Sequence, residues 1–364
     1  MRSGVSVAEM ESFHFGGTEI APGTGVEVSL ELGDGPAGNP RSIPVYILHG
    51  TKPGPVLGLI AGIHGDELNG VSVVHHLIHG DDHIANTDDD TINRSKLAGT
   101  LICVPVVNIE GMLLEQRGAP DNRDINRLFP GKKTGNQSQR IAYALFQGVV
   151  SRSDFLIDLH SAPHSRTNLP HVRADFDKKD CLDLARAFGT QIILHSSGPK
   201  GSLRREASAK GTPTILLEAG TAHRFEMEAV HAGIEGVLNV MAHLGMIERT
   251  LRQPEFRLLV RRSKWARAEA GGLLYSLVKA GDHVKKGQNI ALITDPLGAK
   301  THTIESPRTG VIVGLALNPL VRAGDPIANI VLCSEKKWNQ AQIEQDAQDP
   351  EEESVDDEES LDEA

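Results

Sequence analysis

From about residue 43 to residue 247 the chain alternates short apolar runs with stretches of helical period, and this alternation limits the possible folds more than any other feature. The candidate strands are IPVYILHG, PVLGLIAGI, TLICVPVV, DFLIDLH, TQIILH and TPTILLEAG, and the candidate helices lie at about 67–80, 137–150, 178–188, 202–210 and 225–245. Strands this apolar, with little polar alternation, belong in a sheet covered by helices on both faces. The pattern predicts an α/β domain with a mixed, mainly parallel sheet. In such sheets ligands bind beyond the carboxyl ends of the strands. Three strands run into polar residues there: GLIAGI into His64, FLIDL into His160 and TILL into Glu218. A buried strand that merely turned would more often end in Gly, Asn or Ser, so three such exits favour one shared site.

The organisation around this domain follows from changes of texture. Residues 1–42 read as an N-terminal β extension packed on a catalytic domain at 43–248. Residues 249–335 switch to short strands and Gly-Asp turns, with a weak repeat between VKAGDHVKKGQNIALI and LVRAGDPIANI. This C-terminal all-β domain resembles the sandwich of biotinyl and lipoyl carriers. Those carriers present a modified lysine in an M-K-M or D-K-A context, whereas Lys300 sits in PLGAKTH; a structural β-domain is the better reading. Residues 336–364 form an acidic, disordered tail. The tail from 344 on holds twelve of the 48 acidic residues and no Lys or Arg, leaving 36 acidic against 37 basic residues in the body. A near-neutral body gives no case for nucleic-acid binding, and the tail has too few apolar residues to fold alone.

Cys103, Cys181 and Cys333 are scattered and odd in number, as expected of reduced, buried thiols. MRSGVSVAEMESFHF lacks a signal-peptide pattern, and no apolar run reaches the roughly 18 residues needed to span a bilayer. The expected location is the cytoplasm, with neither nucleic acid nor membrane as partner; a homo-oligomer is compatible with the sequence.

AGIHGDELNG, residues 61–70, sets His64 and Glu67 three positions apart. Sixteen histidines in a glutamate-rich chain produce such pairs by chance, and His223/Glu226 and His302/Glu305 share the spacing. Two His and one Glu are a standard catalytic zinc set that leaves one position open. With Glu67 on the first turn of the next helix and His160 arriving from a neighbouring strand, all three could face one point. The bland alternative is a helix-capping His64 with Glu67 complementing the helix dipole.

QRGAPDNRDINRLFPG, residues 116–131, packs Arg117, Arg123, Asp124, Asn126 and Arg127 into one polar loop. Asn126 and Arg127 suit a substrate carboxylate; equally, Arg123 and Arg127 could only bridge Asp121 and Asp124. Glu218 at a strand mouth could serve as general base.

The set GIHGDE, RDINRLFPG, DLHS and LLEAG resembles the succinylglutamate desuccinylase/aspartoacylase family, a branch of the zinc carboxypeptidase-like fold, over about residues 45–245. The resemblance implies one zinc per chain on His64, Glu67 and His160, Glu218 as base and proton shuttle, and Asn126 and Arg127, with Arg123 nearby, holding the substrate carboxylate. Arg117 fits the carbonyl-polarising arginine better than Arg123. The implied activity is hydrolysis of the amide bond of an N-acyl amino acid or related small carboxylate, by a water that zinc and Glu218 activate. A peptide-cleaving metallocarboxypeptidase and a non-enzymatic binding or carrier protein are the alternatives.

Overall fold

The computed structural model describes residues 10–35, 37–80, 92–254 and 256–338. Of the expected disordered tail, residues 336–338 are described and lie in a helical turn that buries Trp338 against Leu258 and Val331; from residue 339 on it lies outside the described residues. The chain opens with β1 (Phe13–Phe15) and β2 (Thr18–Ile20), an antiparallel pair, followed by β3 (Thr24–Asp34) and β4 (Pro40–His49). Strands and helices then intermingle through β5 (Lys52–Ala61), α1 (Asn69–His79), β6 (Ala98–Val104), α2 (Ile109–Leu113), α3 (Gln137–Gly148), β7 (Phe155–His160), β8 (Arg166–Ala174), α4 (Lys179–Phe188), β9 (Ile192–His195), α5 (Leu203–Ala209), β10 (Thr214–Thr221) and α6 (Met227–His243). From 258 to 332 the elements are strands: β11 (Leu258–Val260), β12 (Ser263–Arg267), β13 (Gly272–Ser276), β14 (His283–Val284), β15 (Asn289–Thr294), β16 (Thr301–Glu305), β17 (Gly310–Ala316), β18 (Leu320–Val321) and β19 (Pro326–Leu332).

One large sheet runs β12-β19-β17-β8-β10-β7-β5-β6-β4-β3. Its centre, β6-β5-β7-β10, is parallel, and antiparallel β4 and β8 flank it, so the sheet is mixed. The period-2 alternation of a strand divides the core between the two faces. Leu57, Leu59 and Ala61 of β5 pack with Val73 and Leu77 of α1 and Ile234 and Leu238 of α6. Ile60 packs on the other face with Leu145 and Phe146 of α3 and Leu203 of α5. Burying each such Leu or Ile contributes about 1.5–3 kcal/mol. Helix α3 is started by a capping box in which Asn136 accepts from the Gln139 N–H while the Gln139 side chain reaches back.

The strands after residue 258 divide between two sheets. β12, β14, β17 and β19 join the large sheet through β17, which pairs with β8, while β16-β15-β13-β18 form a separate four-stranded sheet. Ile290, Ile293, Ile304, Ile312, Ile327 and Ile330 fill a core between them. No helix among the described residues is long and apolar enough to cross a membrane.

Two details depart from expectation. Strand β8 (RTNLPHVRA) has no apolar run and carries Pro170, yet it links β10 to β17 and β9. Glu67 is not on the first turn of a helix: α1 begins at Asn69, and Glu67 lies in the loop before it.

Candidate metal centre and active site

The loop after β5 is pressed against α2, so closely that a Cβ on Gly65 would fall 2.0 Å from the Gly111 carbonyl carbon. Only glycine fits there, and the fit sets His64 and Glu67 over the ends of β5 and β7. Both are almost wholly buried, as is His160, the last residue of β7. One ligand-capable atom from each of the three falls within a 4.8 Å spread. His64 Nδ1 lies 2.8 Å from Glu67 Oε1, and His160 Nδ1 lies 2.7 Å from Glu67 Oε2. Glu67 Oε2 also accepts the Ser161 N–H at 3.2 Å.

Each imidazole has a second carboxylate at its far nitrogen. His64 Nε2 donates to Asp124 Oδ1 at 3.1 Å, and His160 Nε2 lies 3.0 Å from Asp158 Oδ2. With the far nitrogens protonated, both Nδ1 lone pairs would be free for a cation beside Glu67; without one, His160 Nδ1 donates to Glu67 Oε2, and His160 Nε2, though near Asp158, has no aligned hydrogen-bond partner. His64 Nδ1 is buried and, although close to Glu67, has no aligned hydrogen-bond partner. An orphaned imidazole nitrogen beside a carboxylate and a second imidazole is the donor set of a His2Glu centre, and these residues fit zinc.

The electrostatics follow from crowding these groups out of water. Burial would raise the Glu67 carboxyl, but the charges of His64 and His160 and their hydrogen bonds hold it well below the carboxylate range. Burial lowers both histidines, and their carboxylate neighbours more than offset it: Glu67 and Asp124 raise His64, while Asp158 and Glu67 raise His160 well above 6.5. Without an ion the protons hold the pair of imidazoles on Glu67; a divalent cation would displace them.

The arginines of the polar loop separate in space. Arg117 reaches the cluster, with Nη1 donating to Glu67 Oε1 at 2.8 Å and Nη2 to Asp124 Oδ2 at 3.2 Å. Arg123 points away, its exposed side chain 3.8 Å from Asp121. Asn126 is buried and its Oδ1 accepts the Leu203 N–H at 2.8 Å, tying the loop to α5. Arg127 is half-exposed, donating to the Asn126 carbonyl at 2.7 Å and lying 3.8 Å from Asp124. Both bridges of the bland reading, Arg123 to Asp121 and Arg127 to Asp124, are therefore present as long ion pairs.

Glu218 lies within β10 rather than at its end, opposite His160 in the parallel register. Its Oε2 accepts from Asn168 Nδ2 at 2.9 Å, and its Oε1 lies 3.6 Å from Arg173 Nε. Sequence reasoning gave no role to Asp158 or Asn168 and saw Asp124 only as an ion-pair partner of the loop arginines; all three side chains contact the cluster or Glu218. The other His-x-x-Glu pairs stay apart from this centre. Glu226 accepts the Thr221 N–H before α6, His223 sits beside Asp66 at 4.0 Å, and His302 and Glu305 lie exposed on β16. The three cysteines are free and buried. A cavity of about 930 Å³ opens elsewhere, between α6 and the turn at Gly281, and shares no residue with the cluster.

Comparison with known proteins identifies the family and the fold. The succinylglutamate desuccinylase/aspartoacylase catalytic domain, as a family model, matches residues 53–244, more than half of the chain. The N-alpha-acetyl-L-2,4-diaminobutyric acid deacetylase of Halomonas elongata is 27% identical over 302 residues, 79% of this chain and 85% of that protein. Among solved structures, a succinylglutamate desuccinylase/aspartoacylase from Rhodobacter sphaeroides superposes with a TM-score of 0.75 at 23% identity, covering 85% of this chain and 96% of that one. The product-bound ectoine utilization protein EutE (DoeB) from Ruegeria pomeroyi has the same TM-score at 21% identity, with 85% and 95% covered. The chain therefore belongs to the succinylglutamate desuccinylase/aspartoacylase family.

Proposed function

We propose that this protein is a zinc-dependent deacylase that hydrolyses the amide bond of a small N-acyl amino acid. The observation that carries the reading is the convergence of His64, Glu67 and His160 with Glu218 on the strand next to His160, in register with it. When bound by that set, zinc supplies Lewis-acid activation of water and of the scissile carbonyl.

The chain's own residues account for the other requirements. Glu218 takes a proton from the attacking water and returns it to the leaving amine nitrogen, as the C–O bond forms and the C–N bond breaks. Arg117 spends two N–H groups on Glu67 and Asp124, and its remaining donors can meet the negative charge that develops on the carbonyl oxygen. Arg127, half-exposed and held beside Asn126, offers a planar fork to the substrate carboxylate. Arg123, turned away to Asp121, takes at most an outer part in that binding.

The Halomonas relative's name points to Nα-acetyl diamino acids as the first substrates to assay. The deciding experiment combines metal analysis with a turnover screen of N-acetyl and N-succinyl amino acids, including Nα-acetyl-2,4-diaminobutyrate, against short peptides. The reading expects about one zinc per chain and turnover of an N-acyl amino acid. Turnover of peptides alone would make the protein a carboxypeptidase, and no hydrolysis by metal-loaded protein would return it to the class of binding proteins.

A further inference from the structure

We infer that Asn168 is a positioning residue for Glu218 and that β17 of the C-terminal region keeps it in place, so the C-terminal strands help set the base of the reaction. The inference rests on the role proposed for Glu218 above. At Asn168, β8 is held from both sides: its Cα partner is Gly220 of β10 on one side and Gly314 of β17 on the other. Between the pairs Glu218/His171 and Gly220/Asn168 the register slips, with Leu169 and Pro170 opposite the single Ala219. Pro170, which has no N–H to give the ladder, falls within this bulge. Bulges beside active sites re-aim side chains, and here the re-aimed side chain is Asn168, whose Nδ2 donates to Glu218 Oε2 at 2.9 Å.

The orientation of the carboxamide is fixed by its chemistry. A carboxylate only accepts, so the amide nitrogen faces Glu218 and Oδ1 faces the other way. On that side is Gly314, where an added Cβ would lie 2.8 Å from Asn168 Oδ1 but 3.6 Å from Asn329 Cβ and 3.8 Å from the Thr167 carbonyl oxygen. Gly314 is outside the left-handed region, so its backbone does not require glycine. What the missing side chain provides is room for the Asn168 carboxamide. Arg173 Nε, 3.6 Å from Glu218 Oε1, is beyond hydrogen-bond length. Among the described residues Asn168 is therefore the one hydrogen-bond donor to this carboxylate. An alanine at 314 would meet only the mobile end of Asn168 at short range, so the chain can relieve it cheaply by swinging the carboxamide off Glu218.

The test is steady-state kinetics of the full, zinc-loaded chain on the best N-acyl amino acid from the screen, with E218Q, N168A, G314A and N168A/G314A, each checked for melting temperature and metal content. E218Q is expected to abolish turnover. N168A and G314A should each lower kcat about 10-fold, part of the 10²–10⁴ that a positioned base contributes, with KM and melting temperature little changed. The double variant should be no slower than N168A, because Gly314 acts through Asn168. An unchanged kcat in N168A, or effects of the two substitutions that multiply to about 100-fold, would overturn the inference while leaving Glu218 as base. Normal turnover by E218Q would instead overturn the base reading, and this inference with it. If G314A does not fold, N168A alone decides.

Discussion

Removing the Asp124 carboxylate tests how the centre is held together. Its Oδ1 receives His64 Nε2 at 3.1 Å and the Asn126 N–H at 2.9 Å, and its Oδ2 receives Arg117 Nη2 at 3.2 Å. Burial would raise this carboxyl, yet the His64 hydrogen bond and the charges of His64, Arg117 and Arg127 hold it far below the usual range. In D124A the buried His64 Nε2–H has no acceptor, at a cost of about 1–3 kcal/mol. The imidazole is then free to rotate or change tautomer, and either change removes Nδ1 from the ligand set. That cost corresponds to the roughly 10–100-fold in metal affinity typical of such outer partners. In D124N the amide oxygen can still accept from His64 while its NH₂ faces Arg117, so affinity should fall less than in D124A and kcat should fall more than affinity. Competition with a chromophoric chelator measures the zinc Kd of each folded variant. A D124A protein that folds and binds zinc as tightly as the wild type would refute the idea that Asp124 orients His64.

Four further outcomes follow from the same geometry. E218Q should lose turnover while retaining about one zinc per chain; loss of metal together with activity would make Glu218 a ligand. R127A should raise KM with a loss of about 2–3 kcal/mol in kcat/KM, the scale of a charged hydrogen bond, and an unchanged KM would remove Arg127 from carboxylate binding. Stripping the metal should abolish activity and lower the melting temperature, since zinc at 1,000 times its Kd adds about 4 kcal/mol to the folded state; restoration by zinc and not by magnesium is the check. His171 is buried beside Arg173 and its pKa is lowered to about 3, first by desolvation and then by the Arg173 charge. It stays neutral in the fold while the unfolded chain protonates near 6.5, so its stability contribution is complete above 6.5 and declines as pH falls toward 3. The slope should be about 1.4 kcal/mol per pH unit, and denaturant unfolding of H171Q at pH 7.5 and 5.0 should lack that increment.

The alternation of apolar runs and helical stretches made the α/β layers readable, because β6 and the second half of β5 are buried on both faces and carry almost no polar residue. The mouth of the sheet was readable for the same reason, since His160 and Glu218 interrupt runs that should have remained apolar. β8 was not readable. Its burial is partial, its proline sits in a bulge, and its place is set by pairing to β10 and to a strand 146 to 150 residues later, a contact with no local signature. The start of α1 was placed two residues early, at 67 rather than Asn69, because the loop before it contains no residue that visibly caps the helix; the N-cap, Leu68, makes no side-chain cap bond.

The two anchoring carboxylates differ in how they could have been found. Asp158 and His160 are two apart on one strand, so a period of two puts both side chains on one face, and the D-L-H spelling by itself placed a carboxylate within reach of the imidazole. Asp124 offers no such spacing. It reaches His64 because the loop at 116–131 is tied down elsewhere, by Asn126 on the Leu203 N–H and by Asp121 near the start of α3. The same ties decide among the arginines. With Asp124 fixed over His64, the guanidinium that can span Asp124 and Glu67 together is that of Arg117, seven residues upstream, whereas Arg123 extends to Asp121 on the outside of the loop. Arg117 thus shares both its carboxylates with His64, and a change at any one of Glu67, Asp124 or Arg117 must be felt by His64.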